Sequence, residues 1–259
     1  MSSGHILVSV DGRVATITLN RPDKLNAVTT AMLEGLETAC ARIDRDQAIR
    51  AVIVASASPK AFCAGADIIE WTPLGAAGMW SRWIRDGQRV FDRLARLRQP
   101  TIAAIGGIAF GGGLELALAC DLRLASEAAR FGLPEVTIGA VPGWAGTQRL
   151  PRVIGIGRAK HMILSGQPID AATAAAWGLV CEVVAPERLA ERALELARRI
   201  AENAPSAVQA AKQLADAAAG EGIATALESL AAGFTAGTDD AREGVAAFRD
   251  KRAPKFTGK

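Results

Sequence analysis

The sequence predicts an α/β protein with an added helical end, and three observations carry that expectation. Through the first half, short apolar runs alternate with segments of helical periodicity, and parallel strands require such crossovers between them. From Thr101 to Ala119 the only charge is Glu115, and five glycines (Gly106, Gly107, Gly111, Gly112, Gly113) break the run, which suits a buried strand, a glycine turn and a buried helix. After about Pro186 the pattern is almost purely helical. A length of 259 residues holds one large domain or one domain with an appendage. The division expected is an α/β core over 1–200 and a helical region over 201–259.

In chain order, Ile6–Val10 alternates apolar and polar residues, Asp11-Gly12 is a hairpin turn signal, and Val14, Ile17 and Leu19 continue the extended pattern to Arg21-Pro22. Thr29 or Thr30 caps a helix with Met32, Leu33, Leu36, Ala39, Cys40 and Ile43 on one face. Ala51–Ala55 reads as a short buried strand. A second helix carries Trp80, Trp83, Ile84, Phe91, Leu94 and Leu97 and stops before Pro100. Strand Ile102–Ile105, a helix from about Gly112 to Ala119 and strand Leu122–Ala125 follow. The helical end divides at Pro205 into Glu187–Glu202, Ala207–Ala219 and Ile223–Phe234, and a last helix opens with Asp240 and Glu243 in capping-box spacing. Its alanine-rich helices are expected to pack against other subunits as well as against the core.

Composition removes several classes of function. Thirty Lys and Arg against 27 Asp and Glu leave a net +3, without the basic excess of a nucleic-acid binder, so no nucleic-acid partner is expected. Thr101–Ala119 is nominally long enough to span a bilayer, but its glycines and carboxylate reject that reading, so no membrane partner is expected either. Met1–Gly12 lacks the basic start and the apolar run of about 7 to 15 residues of a secretion signal, so the expected location is cytoplasmic. Cys40, Cys63, Cys120 and Cys181 are far apart and read as small buried hydrophobes rather than a disulfide framework or a zinc site. Only His5 and His161 supply imidazoles, and His161 reads as a partly buried helix residue. That scarcity shifts acid/base work towards carboxylates.

The most informative segment is Phe110-Gly111-Gly112-Gly113-Leu114-Glu115, a glycine run leading into a helix. Free N–H groups at a helix N-terminus attract anionic oxygen, and glycine lets a ligand approach the backbone. Glu115 follows Gly112 by about one turn, so its carboxylate can lie beside whatever those amides hold. The same residues also suit a purely structural role, with glycines for tight packing and Glu115 as a cap. Glu135, in Phe131-Gly132-Leu133-Pro134-Glu135, is a loop carboxylate by itself; paired with Glu115 it would divide general acid and general base work if burial separates their pKa values. Ala61-Phe62-Cys63-Ala64-Gly65-Ala66-Asp67 is another small-residue turn whose amides can face a ligand, and no nearby residue offers Cys63 a base. Gly155-Ile156-Gly157 fails as a dinucleotide fingerprint, because Lys160 stands at the last glycine and no strand precedes it.

Together these segments resemble the crotonase superfamily, the enoyl-CoA hydratase/isomerase family. The likeness covers nearly the whole chain: Asn20-Arg21-Pro22 with Asn26-Ala27, Phe62–Asp67, Gly111–Ala117, Phe131–Glu135, Gly146-Thr147-Gln148-Arg149-Leu150 and Asp240-Ala241-Arg242-Glu243-Gly244. It implies a spiral core of repeated β-β-α units with a C-terminal helical oligomerisation region, and a homotrimer or dimer of trimers. It implies that the amides of Ala64 and Gly112 form an oxyanion hole for a thioester carbonyl, with Glu115 and Glu135 as the two catalytic glutamates. Lys24, Leu25 and Ala27 and the loop Ala64, Gly65, Ala66, Asp67, Ile68 would line the CoA site, with Gly111, Pro134 and Gly143 also against the substrate. Preorganised N–H dipoles meet the developing charge, so neither metal nor separate cofactor is expected, CoA being part of the substrate.

The chain departs from the hydratase pattern at Val141-Pro142-Gly143-Trp144-Ala145-Gly146, where small residues usually follow Pro-Gly. An indole there is expected either to fill or reshape the acyl pocket around a flat or short substrate, or to turn into the core or an interface. The function expected is a 2-enoyl-CoA hydratase for a short or unusual acyl group. Its rivals are a Δ3,Δ2-enoyl-CoA isomerase or other crotonase-type lyase, and a non-catalytic CoA- or RNA-binding protein.

Overall fold

The computed structural model describes residues 4–220 and 222–259, which fall into two compact units, Met1–Pro205 and Ser206–Lys259. Ten strands lie in the first: β1 Ile6–Asp11, β2 Val14–Leu19, β3 Ala51–Ser56, β4 Ala61–Cys63, β5 Thr101–Ile105, β6 Ile108–Phe110, β7 Leu122–Ser126, β8 Arg130–Gly132, β9 Ile169–Asp170 and β10 Glu182–Val184. A six-stranded sheet runs β1-β2-β3-β5-β7-β10, antiparallel only at the β1/β2 hairpin. A smaller sheet runs β4-β6-β8-β9, parallel except at β9. The pairs β3/β4, β5/β6 and β7/β8 each send one strand to each sheet before the chain turns helical. This is the repeated β-β-α unit of the crotonase fold.

The central strands β3, β5 and β7 of the large sheet are buried on both faces, which is why they read as largely apolar runs. Ala51, Ile53, Ile102, Ala104 and Leu124 face the Leu189–Glu202 helix, which contributes Leu189, Ala193, Ala197 and Ala201 at four-residue intervals. Three alanines there let that helix approach closely. The alternate residues Val52, Val54, Ala103 and Ile105 point into the main core with the Thr30–Arg45 helix. Thr29 caps that helix, its Oγ1 accepting the Met32 N–H at 3.1 Å.

Several elements differ from expectation. The second helix begins late: Ile68–Trp83 is a chain of short turns ending in a π turn over Met79–Trp83, and the regular helix spans Ile84–Ala95. Pro73 and the glycines at 75 and 78 interrupt the periodicity there. Cys181 and His161 are exposed, so the first is not a buried hydrophobe and the second not partly buried. In the second unit the helices are Pro205–Ala218, Ile223–Ala236 and Asp239–Arg249, and Thr238 rather than Asp240 caps the last. Asp240 instead accepts the N–H groups of Thr257 at 2.6 Å and Gly258 at 2.7 Å, while Glu243 accepts from Arg252 at 2.6 Å and from the Lys255 N–H at 2.8 Å. The last residues therefore fold back on that helix. Among the described residues no helix is long and apolar enough to cross a membrane.

Candidate active site

The small sheet organises the site. Strands β4, β6 and β8 are parallel neighbours, so their C-terminal ends lie side by side. From those ends leave Ala64–Asp67, the glycine turn into the Gly112–Leu118 helix, and Leu133-Pro134-Glu135. Ligand sites form at such strand ends. Three motifs spread over about seventy residues of sequence thus meet at one edge.

Glycine is required at the turn. Gly111 has φ +52°, and a Cβ on Gly113 would stand 2.1 Å from the Cys63 carbonyl oxygen. The Gly111 N–H donates to the Gly132 carbonyl at 2.9 Å, extending the β6/β8 pairing to the point where the two carboxylates depart. Glu115 is 2% exposed and its Oε1 accepts two backbone N–H groups, from Trp144 and from Gly146, each at 2.7 Å. Ala145 between them adopts the left-handed region at φ +77°, which turns both amides towards one oxygen. Burial pushes the Glu115 carboxyl up to about 7; the Gly146 N–H opposes that rise and the nearby Glu135 charge adds to it. Glu135 stands against the glycine turn, with Oε1 3.1 Å from where a Gly111 Cβ would be. Its Oε2 is buried with no hydrogen-bond partner among the described residues, and burial raises its pKa as well. Both carboxyls are thereby brought towards the pH range where each can give or take a proton.

The oxyanion donor expected at Ala64 is corrected. The Ala64 N–H donates to the Leu25 carbonyl at 2.9 Å and is not free for a ligand. Two residues on, Val28 bridges Ala66: the Val28 N–H donates to Gly65 O and the Asp67 N–H to Val28 O, a pattern that leaves the Ala66 N–H outside the ladder. The Ala66 nitrogen lies 3.4 Å from the Cβ position of Gly112, whose own N–H belongs to the unpaired first turn of its helix. Ala66, not Ala64, is therefore the loop residue whose nitrogen lies near Gly112 outside that backbone ladder.

Segments 24–28 and 64–68, expected to act together, are laced to each other by these bonds and by Cys63 Sγ donating to Asn26 O at 3.1 Å. Lys24 and Ile68 are exposed, Leu25 and Ala27 half-buried. Cys63 is buried and its thiol pushed up to about 12, so it is not a thiolate nucleophile. Pro134 opens the short turn carrying Glu135, and Gly143 accepts from Gln88 Nε2 at 2.9 Å, facing the Ile84–Ala95 helix.

Two supporting residues gained no role from the sequence, although both stand in its motifs. Fully buried Asn26 accepts the Arg21 N–H at 2.8 Å and donates to Ser56 Oγ at 2.7 Å and Phe62 O at 2.9 Å, holding consecutive left-handed residues Leu25 and Asn26. Arg21 Nη1 donates to Asp67 Oδ2 at 2.6 Å and to Ala27 O at 2.9 Å, pinning the residue next to Ala66. In the sequence the only signals are the residue types themselves, an asparagine and a lone arginine in the polar loop 20–27.

Trp144 lies in the core, 2% exposed, with Trp83 tilted against it at 5.4 Å between ring centroids and Phe91 edge-on at 5.1 Å. Of the alternatives weighed for it, a face open to stacking by a flat substrate is absent.

A two-sheet spiral with amides and carboxylates gathered at the ends of parallel strands defines an enzyme of the crotonase fold. The Enoyl-CoA hydratase/isomerase family pattern matches residues 10–259, and the chain belongs to that family. It is 42% identical over 254 residues to the short-chain-enoyl-CoA hydratase of Clostridium acetobutylicum, covering 97% of each chain. It is 41% identical over 257 residues to the (E)-benzylidenesuccinyl-CoA hydratase of Thauera aromatica, covering 98% of this chain and 99% of that one. The crystal structure of an enoyl-CoA hydratase from Bacillus anthracis superposes with a TM-score of 0.81 at 40% identity, over 98% of this chain and 100% of that one.

Proposed function

We propose that this protein is a 2-enoyl-CoA hydratase. The observation that carries the reading is a buried carboxylate, Glu115, that senses a half-buried one, Glu135, lying against the glycine turn where the Ala66 nitrogen comes close to Gly112. In this reading the thioester carbonyl accepts the N–H groups of Ala66 and Gly112, which draws electron density from C3 and stabilises the enolate oxygen as it forms. A water O–H bond breaks as its oxygen bonds to C3; one carboxylate takes that proton, and the other carboxyl, protonated beforehand, gives its proton to C2 as the C2–C3 π bond is lost, so the elements of water are added with no change that needs a redox partner. An isomerase moves one proton between two carbons and needs one carboxylate. Two such groups with raised pKa values favour hydration, and the two relatives above are both named as hydratases.

The laced segments 24–28 and 64–68 would carry the CoA end of the substrate. Exposed Leu227 and Phe234 on the Ile223–Ala236 helix, and Phe248 on the Asp239–Arg249 helix, support covering by further copies of this chain, as a homotrimer or dimer of trimers. The test of function is a screen of 2-enoyl-CoAs, following loss of the conjugated thioester absorbance. Hydration of at least one with formation of the 3-hydroxyacyl-CoA is expected. Double-bond migration without added water in every case would reject the proposal.

A further inference from the structure

The indole of Trp144 fills a slot between two backbones. A Cβ on Gly87, in the Ile84–Ala95 helix, would stand 2.1 Å from its Nε1, and a Cβ on Gly112 would stand 2.7 Å from Cζ3 and 2.8 Å from Cε3. Real Cβ atoms do not approach other atoms so closely, so both residues must be glycine while the ring is in place. Nε1 donates to the Trp83 carbonyl at 3.3 Å, and Trp83 and Phe91 hold the ring from its sides. A glycine inside a regular helix is unfavourable by itself; at Gly87 the indole explains it.

This slot adjoins the reacting atoms. Gly112 supplies one amide of the pair proposed for the thioester oxygen, and Glu115 is held by the N–H of Trp144 itself. A thioester whose CoA leads out to solvent sends its acyl end inward, and the buried group packed directly against Gly112 is the ring. We infer that Trp144, seated between Gly87 and Gly112, is the stop that sets acyl-chain length, limiting the enzyme to substrates with few carbons beyond C3. This rests on the hydratase reading for the direction of the substrate. The indole acts by occupying volume rather than by stacking, because its faces are already covered.

The test separates binding from turnover. Dissociation constants are measured by calorimetry for saturated butanoyl- to decanoyl-CoA, which bind without reacting, on the wild type, Trp144→Ala, Trp144→Leu and Trp144→Ala/Gly87→Ala. The wild type should gain little affinity with length. Trp144→Ala should gain up to about fourfold per added methylene over the first few carbons, the usual yield of a buried CH₂, raising the decanoyl preference tenfold or more. Trp144→Leu, which leaves a smaller cavity, should give a smaller gain and stands in if the alanine variant does not fold. Gly87→Ala alone should lower Tm, whereas in the Trp144→Ala background it should not, and it should take back part of the chain-length gain. A wild type that already prefers decanoyl-CoA tenfold, or folded variants with an unchanged length profile, would overturn the stop. If the profile shifts as expected but no 2-enoyl-CoA is hydrated, the stop stands and the hydratase reading fails.

Discussion

The backbone N–H of Trp144 donates to Oε1 of Glu115 at 2.7 Å, so the residue whose indole fills the core also holds the most deeply buried carboxylate among the described residues. That oxygen takes a second N–H from Gly146, while desolvation still raises the group to about 7. The balance between burial and these two dipoles has consequences for stability as well as for chemistry.

The first is a pH dependence. Glu115 has an ordinary pKa of 4.5 and a native value of about 7, so between those values the folded state binds more protons than the unfolded one. Its contribution therefore makes stability fall as pH rises through that window and level off above it. A rise from 4.5 to about 7 corresponds to roughly 3 kcal/mol. Glu115→Gln should remove this fall. Urea denaturation of wild type and variant at pH 5 and pH 8 measures it, and parallel pH profiles would show that the carboxyl is not perturbed.

Gly146 offers a second prediction, on positioning. A Cβ there would stand 2.9 Å from Cγ and Oε1 of Glu115, so Gly146→Ala should push the carboxylate aside. The expected outcome is a kcat lower by about 10-fold or more with KM for the acyl-CoA little changed, the mark of an interaction needed in the transition state. Steady-state kinetics on a 2-enoyl-CoA decide the matter; an unchanged kcat would mean that Glu115 tolerates displacement.

Ala145 should behave in the opposite sense. It holds φ +77°, a conformation that costs an L-residue roughly 1 kcal/mol or more and that glycine adopts freely. Ala145→Gly should be neutral or raise Tm, against the usual loss when glycine enters a chain. A lowered Tm would place the strain elsewhere.

Much of this was legible in the sequence. The β1/β2 hairpin, the Thr29-capped helix and β3, β5 and β7 follow from periodicity and turn chemistry, because each is long enough to show a period and buries a defined face. The small sheet was not legible. Strands such as Ala61–Cys63 and Arg130–Gly132 are three residues long, too short to show alternation, and only their tertiary pairing identifies them. Their alignment decides which amides point at the ligand. The Ala64 N–H is removed by the Leu25 carbonyl, a bond between residues far apart in sequence that no local pattern announces. Glu115 and Glu135 could be named as a pair from their motifs, but their burial, and with it their raised pKa values, comes from the fold.

Asn26 tests the scaffold beneath the CoA-side segments. Asn26→Ala removes three hydrogen bonds, two part-buried ones with the Arg21 N–H and Ser56 Oγ and a buried one to the Phe62 carbonyl, which should cost about 2–4 kcal/mol. Chemical denaturation measures the loss. A change below about 0.5 kcal/mol would show that this loop is held by other contacts.

The most direct test of the two-carboxylate account is the kcat for hydration of 2-butenoyl-CoA by the wild type, Glu115→Gln and Glu135→Gln, read from the loss of enoyl thioester absorbance. Each substitution keeps the shape and removes the proton exchange. The account predicts a fall of about 100-fold or more in kcat for both variants, with CoA-thioester affinity retained. Normal hydration by either variant would contradict it.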